Sequence, residues 1–202
     1  MVINEDRVQP GRGFGTHPHR NVEIFTYVLE GELEHKDSMG NGEVIRPGDV
    51  QFMSAGRGVT HSEFNPSKTD GVHFLQIWLA PNEAGTDPGY QQKHFTAEDK
   101  DGKLALVIAP AGHTGALSIR QSAKVYAGNL SGAQTIDYAV PEGRNTYVHV
   151  ARGTLTLNGV TLSAGDGVKV REGQTVLALA NGVDAEVLVF DLNRVGMTES
   201  RG

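Results

Sequence analysis

Two pairs of side chains carry the chemistry that can be read first. His17 and His19 stand two residues apart in the glycine-rich run Gly11-Arg-Gly-Phe-Gly-Thr-His-Pro-His19. His61 and Glu63 stand two apart in Gly56-Arg-Gly-Val-Thr-His-Ser-Glu-Phe-Asn65. In an extended strand, residues i and i+2 project from the same face. Each pair can therefore aim two donors at one point, and two neighbouring strands would bring all four together. Three imidazoles and a carboxylate form a borderline-hard donor set. It suits Fe(II), Mn(II), Co(II), Ni(II), Cu(II) or Zn(II) and disfavours Ca(II) and Cu(I). A six-coordinate ion held by four protein groups keeps two positions for substrate or dioxygen. A lone His-x-His is commonly a polar surface pair; a second same-face pair after a glycine-rich turn makes a metal site the better reading. A closed structural zinc site is also four-coordinate, but such sites usually use cysteine, and the chain has none.

Those pairs need strands to present them. Pro18 cannot donate to a ladder, so its strand is expected at a sheet edge or near a barrel mouth. Short β-like runs recur at 22–29, 50–54, 72–79, 103–109, 146–151, 154–157, 167–170, 175–180 and 186–192. Turn signals separate them, among them Pro47-Gly48-Asp49, Asn158-Gly159 and Asn181-Gly182. Asn-Gly between alternating apolar residues is a strong hairpin signal. With 26 glycines supplying turns, the pattern indicates an all-β sandwich or barrel. Residues 80–102, polar and with two prolines, read as a connector.

A weak internal repeat sharpens this. Tyr27-Val-Leu-Glu-Gly-Glu-Leu33 matches His149-Val-Ala-Arg-Gly-Thr-Leu155, and the Gly48–Gly56 spacing recurs at Gly165–Gly173. Two similar barrels in tandem are expected, over residues 1–100 and 101–202; a longer single sandwich is the other reading. Aligning Gly31 with Gly153 and Gly48 with Gly165 sets Ala139, Pro141, Ala178 and Ala180 opposite the four donors. The second barrel should therefore be a scaffold without a metal.

Composition excludes several classes. The net charge is −6 and no basic stripe exists, which argues against a nucleic-acid backbone as direct partner. Without cysteine there are no disulfides, thiolate sites or cysteine nucleophiles. No apolar run approaches the ~20 residues of a membrane span, and the first residues show no signal-peptide pattern. A cytoplasmic location is expected. Among other candidates, His35 and Asp37 could pair close to the site, though a solvated strand end is the simpler reading. His73 reads as a core or surface histidine, and His94, His113 and His149 show no partner pattern. Phe52, Phe74 and Trp78 read as core, with room for one to line a pocket.

The two donor segments resemble the paired motifs of cupins. The fuller run from Gly11 to Asn65, with Tyr27-Val-Leu-Glu-Gly-Glu-Leu-Glu-His-Lys-Asp-Ser-Met-Gly40 and Met53-Ser-Ala-Gly-Arg-Gly-Val-Thr-His61, resembles the pirin family. It is most similar to bacterial pirin-like proteins with quercetin 2,3-dioxygenase activity. The resemblance implies an all-β bicupin of two tandem cupin-type barrels. It implies one iron in the first barrel, held by His17, His19, His61 and Glu63, with Mn, Co, Ni, Cu or Zn as other occupants. It also implies a flavonol-like small-molecule substrate, dioxygen as co-substrate and carbon monoxide as a product. Glu63 is assigned a second role as the catalytic base. Cupins often take a carboxylate just after His-x-His, here Glu23; the pirin pattern uses Glu63 instead, which leaves Glu23 structural. Family members carry strands ahead of the point where this chain begins, which leaves the N-terminal edge of the first barrel open. Animal pirins that act as transcriptional co-regulators supply the alternative: an iron protein whose redox state controls a protein partner, without turnover.

Overall fold

The computed structural model describes residues 1–170 and 173–194. The chain divides into two compact units. The first comprises Met1–Ala97 and Val107–Gln121. Its strands are β1 (Val2–Val8), β2 (Gly13–His19), β3 (Glu23–Glu30), β4 (Leu33–Asp37), β5 (Gly42–Ile45), β6 (Asp49–Ser54), β7 (Val59–Phe64), β8 (Val72–Leu79) and β9 (Gly89–His94). They form two antiparallel sheets, ordered β1-β8-β3-β6-β9 and β2-β7-β4-β5. Strand β2, with Pro18, lies at an edge of the smaller sheet, where a residue without an N–H does least harm.

Strands β3 and β8 are buried on both faces along nearly their whole length, so their sequences are almost continuously apolar. Phe25, Phe52, Phe74, Leu75 and Ile77 are fully enclosed. Burying each such side chain is worth roughly 1.5–3 kcal/mol. Two apolar clusters tie the sheets together. Leu33 and Ile45 of the smaller sheet pack against Val28, Val72 and Phe74 of the larger. Val59 packs against Ile24, Met53 and Ala55. Along β4 the inward row then runs Leu33, His35, Asp37, and along β7 it runs Val59, His61, Glu63. The lining turns from apolar to polar within one sheet.

A short helical turn α1 (Ala97–Lys100) and strands β10 (Leu104–Pro110) and β11 (Leu117–Ile119) follow. The second unit holds β12 (Lys124–Leu130), β13 (Ile136–Ala139), β14 (Asn145–Leu157), β15 (Val160–Ser163), β16 (Gly167–Lys169) and β17 (Val176–Leu192). Strands β12, β17, β14 and β15 are successive neighbours, with β13 on β17 and β16 on β14. Its interior is filled by Ile136, Tyr138, Val148, Val150, Leu177 and Leu179, among others. The Asn-Gly hairpin forms where expected: Leu157 pairs with Val160, and Asn158 and Gly159 have φ of 47° and 81°, as a two-residue turn of this kind requires.

Three expectations need correction. The stretch read as a connector contains β9, paired with β6 from Asp49↔His94 to Ser54↔Gly89. Its polar side chains are half-buried and the pairing is made by backbone, which leaves no alternating pattern to read. The runs at 175–180 and 186–192 are one long strand, as are those at 146–151 and 154–157. Asn181 and Asp184, with φ of 53° and 45°, bend β17 rather than end it. Finally, the repeat alignment slips by one residue. Tyr138, Leu177 and Leu179 face inward, whereas Ala139 and Ala178 are exposed, and a one-residue slip turns every side chain to the other face. The inward positions are apolar either way. Among the described residues, the groups able to hold a metal lie in the first unit, and no helix is long and apolar enough to cross a membrane.

One glycine governs how closely β2 approaches β7. A Cβ on Gly13 would stand 2.1 Å from the Glu63 carbonyl oxygen and 2.6 Å from the Phe64 Cα, both backbone atoms that cannot swing aside. A bulge between Phe14 and His17 then restores the pairing at His17↔His61. Gly13→Ala should therefore cost about 1–3 kcal/mol, the usual range for forcing extra volume into packed structure. A denaturant titration showing a loss below about 0.5 kcal/mol would mean that the two strands have slack there.

Candidate metal centre

Strand β7 is the middle of a three-strand row. His61 lies directly across from His17 on β2 and from Asp37 on β4, and Glu63 lies across from His35. The alternation of strand side chains points these groups to one face. The rings of His17, His19 and His61 form a nearly equilateral triangle, with centroid separations of 4.8, 4.5 and 4.8 Å. Nδ1–H of His17 donates to the Gly15 carbonyl at 2.8 Å. That contact fixes the tautomer and leaves Nε2 as the lone-pair nitrogen. Nε2 of His17 then faces Nε2 of His61 at 3.0 Å. Nε2 of His19 is buried with no hydrogen-bond partner.

Protonation is a poor way to satisfy these nitrogens. Burial, then the neighbouring His17, His19 and His35, push His61 down to about 3, with Asp37 opposing. Burial, then His17, lowers His19 as well. His61 and His19 are therefore held towards their uncharged forms. Donor atoms of His17, His19 and His61 lie within 4.8 Å of one another. Clustered imidazole nitrogens, with Nε2 of His19 buried and unpartnered, suit a borderline divalent cation, so the residues present fit such an ion.

Glu63 completes the row in a different posture. It is 2% exposed, and its donor atom groups with those of His61 and His35 rather than with the full triangle. Nε2 of Gln76 donates to both carboxylate oxygens, at 3.0 and 2.8 Å. Oε1 of Gln76 in turn accepts from Nε1–H of Trp78 at 3.1 Å. Burial raises the Glu63 carboxyl above its ordinary range, while the Gln76 hydrogen bonds and the His17 charge oppose that rise. A cleft of about 460 Å³ is lined by His17, His19, Glu63, Gln76, Trp78 and Phe14, with the β1 acids Glu5 and Asp6 beside them.

The structure thus brings His17, His19 and His61 together and sets Glu63 next to them. The solvated strand end expected at His35 and Asp37 is wrong. Both side chains are fully enclosed, and Nε2 of His35 lies 3.1 Å from Oδ2 of Asp37. Asp37 also accepts from the Asn41 amide at 2.8 Å and from the Met39 backbone N–H at 2.9 Å. The His35 ring rests against Tyr90 and His61. Strand β9, unseen in the sequence, supplies that wall. Glu23 is buried and structural, accepting from the Ser54 hydroxyl at 2.6 Å and the Arg120 backbone N–H at 3.3 Å. His73 is buried and bonded to Glu5 at 2.8 Å. Phe52 and Phe74 are core, whereas Trp78 lines the cleft. Gln76 went unnoticed because it is one amide in an apolar strand; its only signal was a polar residue two positions before a tryptophan.

Comparison with known proteins agrees with this architecture. Residues 1–79 match the Pirin family, and residues 106–192 match the quercetinase C-terminal cupin domain. A protein of Escherichia coli (strain K12) named quercetin 2,3-dioxygenase is 44% identical over 191 residues, covering 95% of this chain and 81% of that protein. A pirin-like protein of Caulobacter vibrioides is 36% identical, covering 94% of this chain and 82% of its own. The crystal structure of YhhW from Escherichia coli superposes with a TM-score of 0.88 at 42% identity, over 95% of this chain and 80% of that one. The structure of bacterial pirin YhhW in complex with nickel(II) matches with the same TM-score at 41% identity, over 95% and 81%. With both halves matched and the similarity running almost end to end, the chain belongs to the pirin family of two-cupin proteins.

Proposed function

We propose that this protein is a metal-dependent dioxygenase that opens the heterocycle of quercetin or a related flavonol with dioxygen and releases carbon monoxide. His17, His19, His61 and Glu63 would hold one divalent metal in the first unit, with iron the leading occupant and nickel, manganese, cobalt, copper or zinc able to use the same donors. The observation that carries the reading is the triangle of imidazoles beside a buried carboxylate at a cleft, in a chain 44% identical to a protein named quercetin 2,3-dioxygenase. The division into a metal-binding part, residues 1–100, and a metal-free part, residues 101–202, is part of the same proposal.

The metal supplies Lewis acidity that lowers the pKa of a substrate hydroxyl, and access to dioxygen. The remaining work falls to the chain. The cleft is within the range that takes small aromatic molecules, and Phe14 and Trp78 offer ring surface. No lysine or arginine lines it, while Glu5, Asp6 and Glu63 do. It therefore favours a substrate that arrives uncharged, as a phenol or enol does, over a carboxylate or phosphate. Glu63 would accept the hydroxyl proton at a carboxylate oxygen. Burial raises its carboxyl pKa, a bound cation would lower it by stabilising the anion, and the same cation would acidify the substrate hydroxyl, so the two effects partly offset each other.

Three results are expected. Metal-loaded protein should consume dioxygen with quercetin and release an equal amount of carbon monoxide, with one metal per chain by elemental analysis. If every plausible first-row metal gives no turnover above a metal-free control, the redox-responsive regulator replaces the enzyme. Glu63→Gln should still fill with metal when metal is in excess, because three imidazoles remain, but lose about 10²–10⁴ in kcat, the usual worth of a general base. A fully metallated variant with near-wild-type kcat would remove the base assignment. The third result concerns pH. His61 and His19 have depressed pKa values when folded, so the unfolded chain binds their protons first as pH falls. The stability of metal-free protein should fall as pH drops from about 6.5 towards 3, each such histidine adding up to about 1.4 kcal/mol per pH unit to the slope. Urea unfolding between pH 8 and pH 5 on metal-free wild type and His61→Gln measures it; equal slopes would count against the depressed histidine.

A further inference from the structure

Gln76 is the only amide in a strand otherwise built for the core, and it is 8% exposed. Burying an amide costs free energy unless its donors and acceptor are used. Here each is used on an identifiable partner. The indole N–H can only donate, so the end of the amide facing Trp78 must be the oxygen. An ionised carboxylate can only accept, so the end facing Glu63 must be the NH₂ group. The two constraints agree, and together they leave Gln76 one orientation. Its Nε2 reaches both Glu63 oxygens, at 2.8 and 3.0 Å, while its Oε1 is held by Trp78 at 3.1 Å. Trp78 is itself fixed, its ring standing edge-to-face against His19 at 5.1 Å.

We infer that Trp78 and Gln76 are positioning residues that set the rotation of the Glu63 carboxylate, and hence which oxygen lone pairs it turns towards the imidazole triangle. The inference rests on the reading of Glu63 as a metal ligand and deepens it. A carboxylate has about four lone-pair sites, so two hydrogen bonds from one side leave others for a cation. Without Gln76 the carboxylate loses the two hydrogen bonds that fix its terminal torsion, which is intrinsically broad. The tether to His19 has a further consequence. One chain of contacts runs from an imidazole of the triangle through an indole and an amide to the carboxylate, so the donors are oriented relative to one another rather than singly. Hydrogen-bond partners of metal ligands are typically worth 10- to 100-fold in affinity.

The test titrates cobalt(II) into the metal-free full chain and follows both affinity and the visible absorption band, which reports coordination. Gln76→Leu should weaken cobalt binding by roughly 10- to 100-fold and shift the band towards that of Glu63→Gln. Trp78→Phe, which keeps a ring against His19 but has no N–H, should act in the same direction and more weakly. In a Glu63→Gln background, Gln76→Leu should cost nothing further. That absence of an added loss separates positioning from a structural role, which would weaken binding equally in both backgrounds. Wild-type affinity and spectrum in Gln76→Leu, or equal losses with and without the Glu63 carboxylate, would overturn the inference. If Glu63→Gln itself leaves affinity and band unchanged, the ligand reading fails, and that outcome is distinct from the other two. Should Gln76→Leu not fold, Trp78→Phe with and without Glu63→Gln decides the matter alone.

Discussion

Burying more lone pairs than protons is the constraint around which the first unit is built. Strands β4 and β7 carry His35, Asp37, His61 and Glu63 on their inward row, and β2 adds His17 and His19. In an interior of low effective dielectric an unmatched charge is expensive, so burial disfavours the protonated forms of His19, His35 and His61. Neutral imidazoles can share hydrogen bonds only if donors meet acceptors. Nδ1 of His17 is committed to Gly15, so its Nε2 presents a lone pair to Nε2 of His61 at 3.0 Å, while Nε2 of His19 and Nδ1 of His61 are buried with no hydrogen-bond partner. A cation can take up such lone pairs without any proton. Binding free energy at such a site is also folding free energy, so a cation held there would stabilise the fold.

The second unit shows a β interior without that constraint. Its inward row is Ile136, Tyr138, Leu177 and Leu179, closed over by Val148, Val150, Val187 and Val189. Within that cluster the side chains are hydrocarbon except for the Tyr138 hydroxyl. Such an interior gains stability directly from apolar burial. The first unit instead gives up part of its core volume to polar groups. It recovers stability through the two apolar clusters that flank them and through enclosed strands β3 and β8.

The donors were legible in sequence for a physical reason: a two-residue period is unambiguous where both members of a pair are chemically rare. His17, His19, His61 and Glu63 could be named as candidates because two same-face pairs, each behind a glycine-rich run, occur in one chain. The edge position of Pro18 followed from its missing N–H. What stayed hidden depended on partners distant in sequence. Asp37 and His35 read as polar strand ends because Tyr90, which covers His35, lies on a strand with no alternating pattern. Gln76 reads as a stray amide until β8 is placed against β7. At Ala139 the repeat alignment fell one residue out of step where register shifts in β14 change the count before the anchoring Gly153. Single-residue register is a property of the ladder, and spacing between turns does not encode it.

The lining of the cleft connects the donor set to a substrate class. Three acids and no lysine or arginine make the entrance unfavourable for a compound that is already an anion. A polyphenol can enter uncharged and lose its proton only once inside. Deprotonation there would create an anion in a site whose lining has three acids and no lysine or arginine to compensate it. Hydrogen bonds from Gln76 are already spent on Glu63. The new anion is therefore stable only beside a positive centre that the side chains do not themselves provide. Convergent lone pairs at His17, His19 and His61 supply the place for one. Under the proposed function, the acidic entrance, the buried carboxyl of Glu63 and the clustered imidazole nitrogens would act in one order: a neutral hydroxyl compound enters, gives up its proton to Glu63 and is held as an anion.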